Sequence, residues 1–436
     1  MNPTPQASSK RVLALTLAAA LLGWMFDGLE QGLFPLVARP SLMELMGPDA
    51  ATSMGTWLSG IMAAFLVGAA LGGVFFGWLG DRIGRVRAMV LSIATYAVFS
   101  GLCGLVQTPL QLAVLRFLAA LGMGGEWALG VALVMEIWPS RFRPMLAGSI
   151  GAAANVGFLL TGLMGLGLAQ VIGDLGGLFR SCGMPQSWID PLLANSGWRL
   201  LLFLGATPAL LALLIQAFVP ESERWKHAAA SGPKNRLGDI FRGGLHVPVL
   251  KGMLLAAIAL LGTWGSVLWI PAWADKLSGQ APEAKAYAQI VLAIGAILGC
   301  TVGPRFAQWT SRRFGYFTLC LGSLIVCEYM FHANLTYGWF FLVVTGVAGG
   351  LTASFYGWLP LYLPELYPTR LRATAQGFAY NAGRILSAAG VLGSGYLLNL
   401  FHEDYAQAGA ITCLIYVAGM IFIWFCPETK GRPLPE

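Results

Sequence analysis

Apolar residues dominate this chain in long runs, and polar residues are confined to shorter stretches between them. A helix needs about 20 mostly apolar residues to cross the hydrocarbon core of a bilayer. The pattern predicts twelve such helices, at roughly 12–37, 52–79, 86–106, 109–137, 144–172, 199–219, 247–273, 284–307, 314–332, 338–364, 371–399 and 405–426. We therefore predict an all-α membrane protein with an N-terminal six-helix bundle (1–219), a central cytoplasmic loop (220–246) and a C-terminal six-helix bundle (247–436).

The composition agrees with this pattern. Hydrophobic residues make up 57% of the chain and charged residues only 11%, whereas a soluble domain is about a quarter charged. The seven cysteines include no C-x-x-C pair, and the chain contains neither an H-E-x-x-H motif nor a G-x-x-x-x-G-K-[ST] phosphate loop. The sequence thus predicts no metal site, no cofactor, no ATP-driven step and no enzyme activity.

The placement of lysine and arginine predicts the orientation in the membrane. With the N-terminus inside, 20 of the 27 basic residues fall in inner segments, 5 in outer segments and 2 within helices. Cytoplasmic loops are enriched in these residues. We therefore expect both termini in the cytoplasm and the protein in the plasma (inner) membrane. The net charge of +7 follows from this asymmetry and requires no nucleic-acid partner.

Two stretches show that the chain repeats itself. The sequence EIWPSRFR at 136–143 returns as ELYPTRLR at 365–372, 229 positions later. Arg82 and Gly84 also recur as Arg313 and Gly315, 231 positions later. Duplicated helical halves that enclose a binding site between them are a transporter architecture.

The stretch GWLGDRIGRVRAM at 77–89 resembles the loop 2–3 motif of the major facilitator superfamily, G-x-L-(A/G)-D-R-x-G-R. The resemblance extends over the whole chain and implies that this loop joins the two halves when the inner side is closed. The alternative is that its arginines only set the topology. The second-half stretch WTSRRFGYF at 309–317 has no acid where Asp81 falls, so any gate there must be weaker or built differently.

Further charged motifs are expected at the same inner gate. PESER at 220–224 and PETKGR at 427–432, with the two E-x-x-P-x-R-x-R copies, resemble the cytoplasmic ends of sugar porters and related organic-acid symporters. The resemblance implies ion pairs that break when the gate opens, although a solvated charged face is the alternative. The predicted gate residues are Gly77, Asp81, Arg82, Gly84, Arg85, Glu136, Arg141, Arg143, Glu221, Arg224, Glu365, Arg370 and Arg372.

Ionisable residues inside a membrane are costly and usually functional. Helical rise places Asp27 about 22 Å and Arg116 about 19 Å from the inner surface. Their segments resemble those of proton-coupled sugar porters and aromatic-acid symporters, where an acid of helix one pairs with an arginine of helix four. The resemblance implies that Asp27 takes up a proton and releases Arg116. Glu30, one turn beyond Asp27, and Glu126, beside Trp127 in a glycine-rich run, are further proton-coupling candidates by position. A permanent structural pair, or a pair that works without proton uptake, is the alternative.

Arg384 lies about 20 Å from the inner side of helix eleven and resembles the helix-eleven arginine of the aromatic-acid symporters. A mid-membrane arginine suits a substrate carboxylate, or else pairs with an acid elsewhere in the cavity. The other predicted substrate-binding residues are mostly aromatic, and for each of them packing or an interfacial position is the alternative. They are Trp24, Trp127, Trp264, Trp269, Tyr356, Tyr380 and Asn381.

The predicted function is secondary active transport by alternating access, most simply proton-coupled uptake of a monocarboxylate or aromatic carboxylate by a monomeric unit. Three alternatives remain. A symporter of sugars or other neutral solutes would use Asn155, Gln289 and Asn381 rather than Arg384. A proton-antiport exporter and a non-transporting sensor are the other two.

Overall fold

The computed structural model describes residues 10–47, 50–230, 236–279, 283–333, 335–401 and 404–435. Residues 231–235 of the predicted central loop lie outside these ranges. The described residues form α-helices joined by short turns, and the first half contains α1 Lys10–Met46, α2 Ala50–Ile83, α3 Arg85–Leu102, α4 Pro109–Gly124, α5 Glu126–Ile137, α6 Arg143–Ser181, α7 Gln186–Leu204, α8 Pro208–Phe218 and α9 Glu223–Ala230. The second half contains α10 His246–Ser266, α11 Ile270–Leu277, α12 Ala284–Trp309, α13 Arg312–His332, α14 Trp339–Ala353, α15 Phe355–Tyr362, α16 Arg372–Leu400, α17 Tyr405–Cys413 and α18 Ile415–Phe422.

Eleven helical segments of the described chain are long and apolar enough to cross a membrane. They are Lys10–Phe34, Gly60–Ile83, Arg85–Leu105, Pro109–Ile137, Ser140–Met164, Gly197–Phe218, His246–Leu277, Ala284–Trp309, Arg312–His332, Trp339–Glu365 and Tyr405–Phe425. The twelfth predicted crossing corresponds to α16, whose 29 residues include buried Arg372, Gln376 and Arg384. The predicted helices are therefore all present, and the most polar of them lies where the two halves meet.

Large apolar side chains cover much of the outer surface. Leu213, Leu298, Ile325 and Ile421 are each at least 60% exposed. A water-soluble protein rarely exposes contiguous apolar surface on this scale. This surface is suited to lipid, so the hydrophobic contacts that hold the bundle together are complemented by contacts with the bilayer.

The halves meet most extensively along two helix pairs, α2 with α16 and α6 with α12. A Cβ on Gly377 would lie 2.7 Å from the carbonyl oxygen of Gly73, and a Cβ on Gly148 would lie 2.8 Å from that of Cys300. The second contact repeats the first, because Cys300 is 227 positions after Gly73 and Gly377 is 229 after Gly148. The chain thus folds as two pseudo-symmetric bundles whose contact needs glycine at equivalent places.

A break in the fourth crossing places a charged residue in the interior. Helix α4 ends at Gly124, and α5 begins at Glu126. A Cβ on Gly124 would lie 1.9 Å from the Ala69 carbonyl oxygen, and one on Gly125 would lie 2.1 Å from the Phe76 Cβ atom. These glycines let the crossing pack tightly on α2, and they put Glu126 at the first position of α5.

Candidate functional site

The polar groups of the interior form two layers. One layer lies at the end of the bundle that carries both the start of α1 and residues 427–435, which we term the terminal end. Trp138 Nε1 donates to the Leu13 carbonyl there (3.1 Å), and Arg372 Nη2 donates to the Pro435 carbonyl (2.8 Å). The other layer lies farther along the helices, around Asp27 and Arg384.

Arg85 is the centre of the terminal layer. Its buried guanidinium donates to the carboxylate of Asp81, to the Gly80 carbonyl (2.9 Å), to Glu136 Oε1 (3.0 Å) and to the Thr369 carbonyl (3.0 Å). The bond to Thr369 crosses from the first half to the second. Because each of these acceptors is also buried, the network closes this end with polar groups that pair with one another, although the Arg85 Nε atom has no hydrogen-bond partner among the described residues.

Two carboxylates of the first half hold the second half directly. Asp81 Oδ2 accepts hydrogen bonds from the backbone amide of Thr374 (2.7 Å) and from its hydroxyl. Glu136 Oε1 accepts from Arg372 Nη1 (3.2 Å), and Glu136 Oε2 accepts from Ser222 Oγ (2.7 Å). Glu136 therefore lies between one arginine from each half, an arrangement that must come apart before the halves can separate here.

The motif glycines and Glu221 explain the shape of the loop. Gly84 has φ +112°, a conformation that favours glycine. A Cβ on Gly77 would lie 2.7 Å from the Ala373 carbonyl oxygen, so α2 and α16 could not approach as closely with a larger residue. Glu221 Oε2 accepts from the Val86 amide (3.0 Å) at the start of α3, where a carboxylate is favourable.

The second half repeats this construction with Arg312 in place of Arg85. Arg312 donates to Glu365 (2.9 and 3.0 Å), to the carbonyl five residues earlier at Ala307 (3.1 Å) and to Gln308 (2.9 Å). Thr429 Oγ1 donates to Glu365 (2.6 Å) as Ser222 does to Glu136. The repeat that we drew from Arg82 and Gly84 to Arg313 and Gly315 is therefore displaced by four residues. The sequence comparison aligned the loops by residue identity. The hydrogen bonds instead show that equivalent residues of the two loops, such as Arg85 and Arg312, are 227 positions apart.

Glu428 anchors the second-half loop as Glu221 anchors the first. Its carboxylate accepts from the backbone amides of Arg312 and Arg313, each at 3.1 Å, and from the amide of Lys430 (2.9 Å). Burial acts to raise the pKa of Glu428, but these amide hydrogen bonds outweigh it and leave the pKa below its ordinary value.

Several predicted gate arginines lie at the edge of the network. Arg82 is exposed beside Trp78 (5.2 Å to the ring centroid), and Arg141 is exposed over Phe142 (4.7 Å). Arg143 is buried and interacts electrostatically with Glu365, but the two are not within ion-pair distance. The other two are Arg224, which is exposed, and Arg370, which is half-buried in the Thr369–Leu371 turn.

The pairing predicted for the central layer is wrong. Arg116 forms its ion pair with Glu30 rather than with Asp27, and its guanidinium also lies over the rings of Phe34 (4.8 Å) and Phe65 (4.7 Å). Three helical positions leave the two acids only about 60° apart around α1, but Glu30 contacts Arg116 of α4 whereas Asp27 interacts with Arg384 of α16. The depth estimate could not distinguish them, because an arginine side chain spans the difference in height.

Asp27 points instead toward the boundary between the halves. It is fully buried; its Oδ2 accepts from Gln31 Nε2 (3.0 Å), and Oδ1 has no hydrogen-bond partner among the described residues. Arg384, from the second half, is the cation that interacts electrostatically with it. The Asp27 carboxylate is therefore only partly satisfied by the protein.

Arg384 is likewise only partly satisfied. Its side chain is 7% exposed, lies over the Tyr380 ring (5.1 Å to the centroid) and donates to Asn381 Oδ1 at 3.4 Å, a long hydrogen bond. Among the described residues, no carboxylate oxygen lies within 4.0 Å of the Arg384 guanidinium, the distance that defines an ion pair. A small pocket surrounds it, lined by Gln31, Phe65, Leu66, Ala69, Leu260, Trp264, Arg384 and Ser387.

Aromatic rings separate this pocket from the terminal end. Trp127 of the first half stacks on Tyr380 of the second at 4.0 Å between centroids and 17° between planes, and Trp24 packs against Trp127 at 6.4 Å. The indole N–H groups of both tryptophans are buried and have no hydrogen-bond partner among the described residues. These three predicted residues do come together, and they cross the boundary between the halves.

Glu126 lies beside this aromatic group. Its carboxylate occupies the space left by Gly23, where a Cβ would fall 1.7 Å from Oε1. Neither of its oxygens meets the geometry of a hydrogen bond to any described residue; Asp27 is its charged neighbour, and the Tyr96 hydroxyl is the polar group beside it. A buried carboxylate without a cation is costly, so this acid is a candidate for proton binding.

The remaining predicted residues have separate positions. Asn381 is fully buried against α2, where a Cβ on Gly73 would lie 1.8 Å from its amide nitrogen. Tyr356 interacts electrostatically with Tyr380 and Arg384. Trp269 does not line the pocket and packs near Tyr405 instead (6.4 Å). Sequence analysis missed Gln31, Phe65 and Ser387; the only available signal for Gln31 was its position four residues after Asp27.

A half-satisfied acid and arginine that face each other between duplicated helical halves, with ion pairs closing one end, define a membrane transporter rather than an enzyme. The chain belongs to the Major Facilitator Superfamily, whose family model matches residues 13–391.

Two relatives resemble it over most of their length. It is 30% identical to a "Probable 4-methylmuconolactone transporter" of Cupriavidus pinatubonensis, over 95% of this chain and 91% of the relative. It is 28% identical to the "Cis,cis-muconate transport protein" of Acinetobacter baylyi, over 87% and 88%. The solved structure of the proton:xylose symporter XylE bound to 6-bromo-6-deoxy-D-glucose matches 97% of both chains, with a TM-score of 0.77 and 18% identity. That structure supports the twelve-helix fold.

Proposed function

We propose that this transporter carries a small organic acid together with a proton across the plasma membrane by alternating access. The observation that carries the proposal is Arg384, a buried guanidinium in a pocket between the halves without an ion-pair partner among the described residues. An arginine so placed can bind a carboxylate through two parallel hydrogen bonds. The names of the two relatives, which refer to cis,cis-muconate and 4-methylmuconolactone, support an organic acid as the cargo.

Charge couples the two cargoes in this proposal. Without substrate, ionised Asp27 and Arg384 attract each other across the boundary between the halves. A substrate carboxylate on Arg384 replaces this attraction and places a second negative charge near Asp27, which favours its neutral form. Anion and proton therefore bind together. Glu126, which has Asp27 as an electrostatic neighbour, is the second acid through which a proton can pass.

The terminal end acts as the cytoplasmic gate. The excess of lysine and arginine at this end favours its cytoplasmic location, with both termini inside. In the closed gate, Arg372 holds Glu136 and Thr374 holds Asp81. Opening of the gate requires these hydrogen bonds between the halves to be replaced by hydrogen bonds to water. The gate and the pocket are both complete within one chain, so we propose that the functional unit is a monomer.

A ligand thermal-shift panel on purified protein at pH 5.5 and pH 7.5 tests the substrate class. The panel compares monocarboxylates, aromatic carboxylates and neutral sugars on wild type, on Arg384→Ala and on Arg305→Ala, a matched loss of an exposed arginine on α12. We expect a carboxylate to stabilise wild type and Arg305→Ala, more strongly at pH 5.5, and to have no effect on Arg384→Ala. Stabilisation by a sugar that is indifferent to Arg384 would reject the organic-acid proposal.

A symporter of neutral solutes is the second candidate, favoured by the fold shared with the xylose symporter. That likeness, at 18% identity, concerns the fold alone. Of the amides considered for sugar binding, Asn155 already donates to the Gly151 carbonyl (3.1 Å) and to Cys300 Sγ (3.5 Å). Asn381 donates to the Gly377 carbonyl (2.9 Å). These amides are used in helix packing, which makes them poor candidates for sugar ligands.

A further inference from the structure

Residues 427–435 follow the last crossing and run across the terminal end. Tyr362 Oη donates to the Pro427 carbonyl (2.7 Å), and Glu428 is held by the amides of Arg312 and Arg313. Lys430 Nζ donates to the carbonyls of residues 309 and 310 (3.0 and 2.7 Å). The segment is thus attached to the second half at several points before it reaches the gate.

The end of this segment docks on the gate itself. The Pro435 carbonyl accepts three hydrogen bonds, from Arg372 Nη2 (2.8 Å), the Thr369 amide (3.1 Å) and the Thr369 hydroxyl (3.2 Å). Leu434 beside it is buried, whereas Arg432 is exposed. One backbone carbonyl therefore fixes two neighbouring side chains of the second half.

Both of those residues also contact the first half. Arg372 uses its other terminal nitrogen to hold Glu136 (3.2 Å), and the Thr369 carbonyl accepts from Arg85 (3.0 Å). Pro435 thus lies directly behind two of the bonds that cross between the halves.

We propose that residues 434 and 435 are a positioning element of the gate, which holds Arg372 and Thr369 in the orientation that receives Glu136 and Arg85. An unrestrained arginine side chain loses conformational entropy when it is fixed. The segment orders Arg372 in advance and satisfies a donor that would otherwise be buried without a partner. Closing the gate therefore costs less when the segment is docked. The inference rests on the gate described under the proposed function.

The consequence is a shift in the balance between the closed and open gate. All three hydrogen bonds to the Pro435 carbonyl are made within the second half, so their loss does not itself separate the halves. It leaves Arg372 mobile and poorly satisfied, and the closed gate then loses stability relative to the open one.

A buried thiol introduced at the boundary between the halves can report this shift. Ala128 is fully buried, and its Cβ would lie 3.4 Å from a Cβ on Gly377 of the other half. The substitution Ala128→Cys supplies this reporter thiol, and Cys182→Ala removes the exposed native thiol. The reporter thiol should react with a maleimide only when the gate opens. The same protein without Ala128→Cys gives the background rate.

The variants are Leu434→Ser, a truncation after residue 433, and Arg432→Ser as the exposed control. Glu136→Gln, which removes a charge from the gate, is the positive control. All rates are measured in detergent at the same interval below each Tm, without substrate or a proton gradient. We expect Leu434→Ser and the truncation to raise the labelling rate at least about threefold, and Arg432→Ser to leave it unchanged.

The outcomes separate this inference from the gate on which it rests. If Glu136→Gln accelerates labelling but Leu434→Ser and the truncation do not, the positioning role is wrong and the gate remains. If Leu434→Ser and Arg432→Ser act equally, the effect is not specific to docking and the inference fails. If Glu136→Gln also has no effect, the gate proposal fails and the inference fails with it. Should the truncation not fold, Leu434→Ser alone decides.

Discussion

Gln308 occupies in the second half the position that Asp81 occupies in the first, since each accepts a hydrogen bond from the arginine four residues later. The equivalence extends to the neighbouring half. Asp81 is held by Thr374, whereas the residue at the position equivalent to Thr374, 229 places earlier, is Met145. The side chain of Met145 has no hydrogen-bond donor that could replace the Thr374 hydroxyl, and Met145 is 38% exposed. The duplicated gate thus keeps its polar contact between helices at one of two equivalent sites.

Introducing a carboxylate acceptor and a hydroxyl donor at the second site should stabilise the closed gate. In Gln308→Asp/Met145→Thr, the new carboxylate can accept from Arg312 and from the threonine across the boundary, as Asp81 does. Because hydrogen bonds to charged groups contribute about 1.5–3 kcal/mol, we expect maleimide labelling of the reporter thiol of Ala128→Cys to slow by about tenfold.

The single variants are the controls for that measurement. Gln308→Asp alone lacks the hydroxyl donor of the first half, and Met145→Thr alone lacks a charged acceptor, so neither should slow labelling by more than about twofold. A double variant that merely equals the sum of the singles would show that the two positions do not meet.

Substitution of two arginines of the same loop should have very different effects on the labelling rate. Arg85→Ala leaves Asp81 and Glu136 buried without their shared cation, and breaking a buried ion pair costs about 3–5 kcal/mol. We expect Arg85→Ala to accelerate labelling of the reporter thiol by more than about tenfold, or to lower Tm strongly if the open state is also affected. Arg82→Ala removes an exposed guanidinium, and labelling should then stay within about twofold of wild type. Equal effects would mean that the loop acts through net charge alone.

Substitution of the two acids of α1 should distinguish a structural role from a role in proton coupling. Glu30→Gln leaves Arg116 buried without a counter-charge, so we expect a fall in Tm with retained pH dependence of carboxylate binding. Asp27→Asn keeps the size of the side chain and removes the carboxylate that we propose as the proton site. It should fold normally and bind the carboxylate equally at pH 5.5 and pH 7.5. The comparison is made by thermal shift; a normal pH dependence in Asp27→Asn would exclude it as the proton site.

Hydropathy was sufficient to predict the helices, because each crossing must bury about 20 apolar residues whatever its neighbours are. The polar layer at the terminal end could be predicted as far as its motif residues, since glycine and buried charge have few other uses at a helix end in a membrane. The sequence did not allow us to predict which of those residues contact one another. Arg82 and Arg85 are equally basic in the sequence, and only the direction of each side chain makes one exposed and the other central.

The same limit explains the central site. Asp27 and Glu30 differ by about 4.5 Å of rise, which is within the reach of an arginine, but they face different helices. Choosing the partner of Arg116 requires the rotation of α1 against α4, and no residue pattern specifies that rotation. Trp269 illustrates the converse case. It is only five positions after Trp264, but α10 ends at Ser266 and the change in direction places Trp269 beside Tyr405.

A polar cluster at the opposite end should make stability depend on pH. Glu44 accepts from Asn195 (2.8 Å), from Trp198 Nε1 (2.7 Å) and from Arg199 (2.9 and 3.3 Å). Burial acts to raise the pKa of Glu44, but these hydrogen bonds outweigh it and hold the pKa below its ordinary value of 4.5. Since the folded state binds its proton less readily than the unfolded state, the carboxylate stabilises the fold fully above pH 4.5, and this stabilisation is lost as the pH falls through the lower folded pKa.

Glu44→Gln should therefore lower Tm by about 2–4 °C at pH 7, with a difference from wild type that is constant above pH 5 and shrinks below pH 4.5. Asp190→Asn is the matched control, because Asp190 is an exposed carboxylate of α7 that accepts only from Gln186 (2.6 Å) among the described residues. Its Tm should follow that of wild type throughout. A Glu44→Gln difference that persists unchanged at pH 3.5 would show that the cluster is stabilised by shape and not by the charge of Glu44.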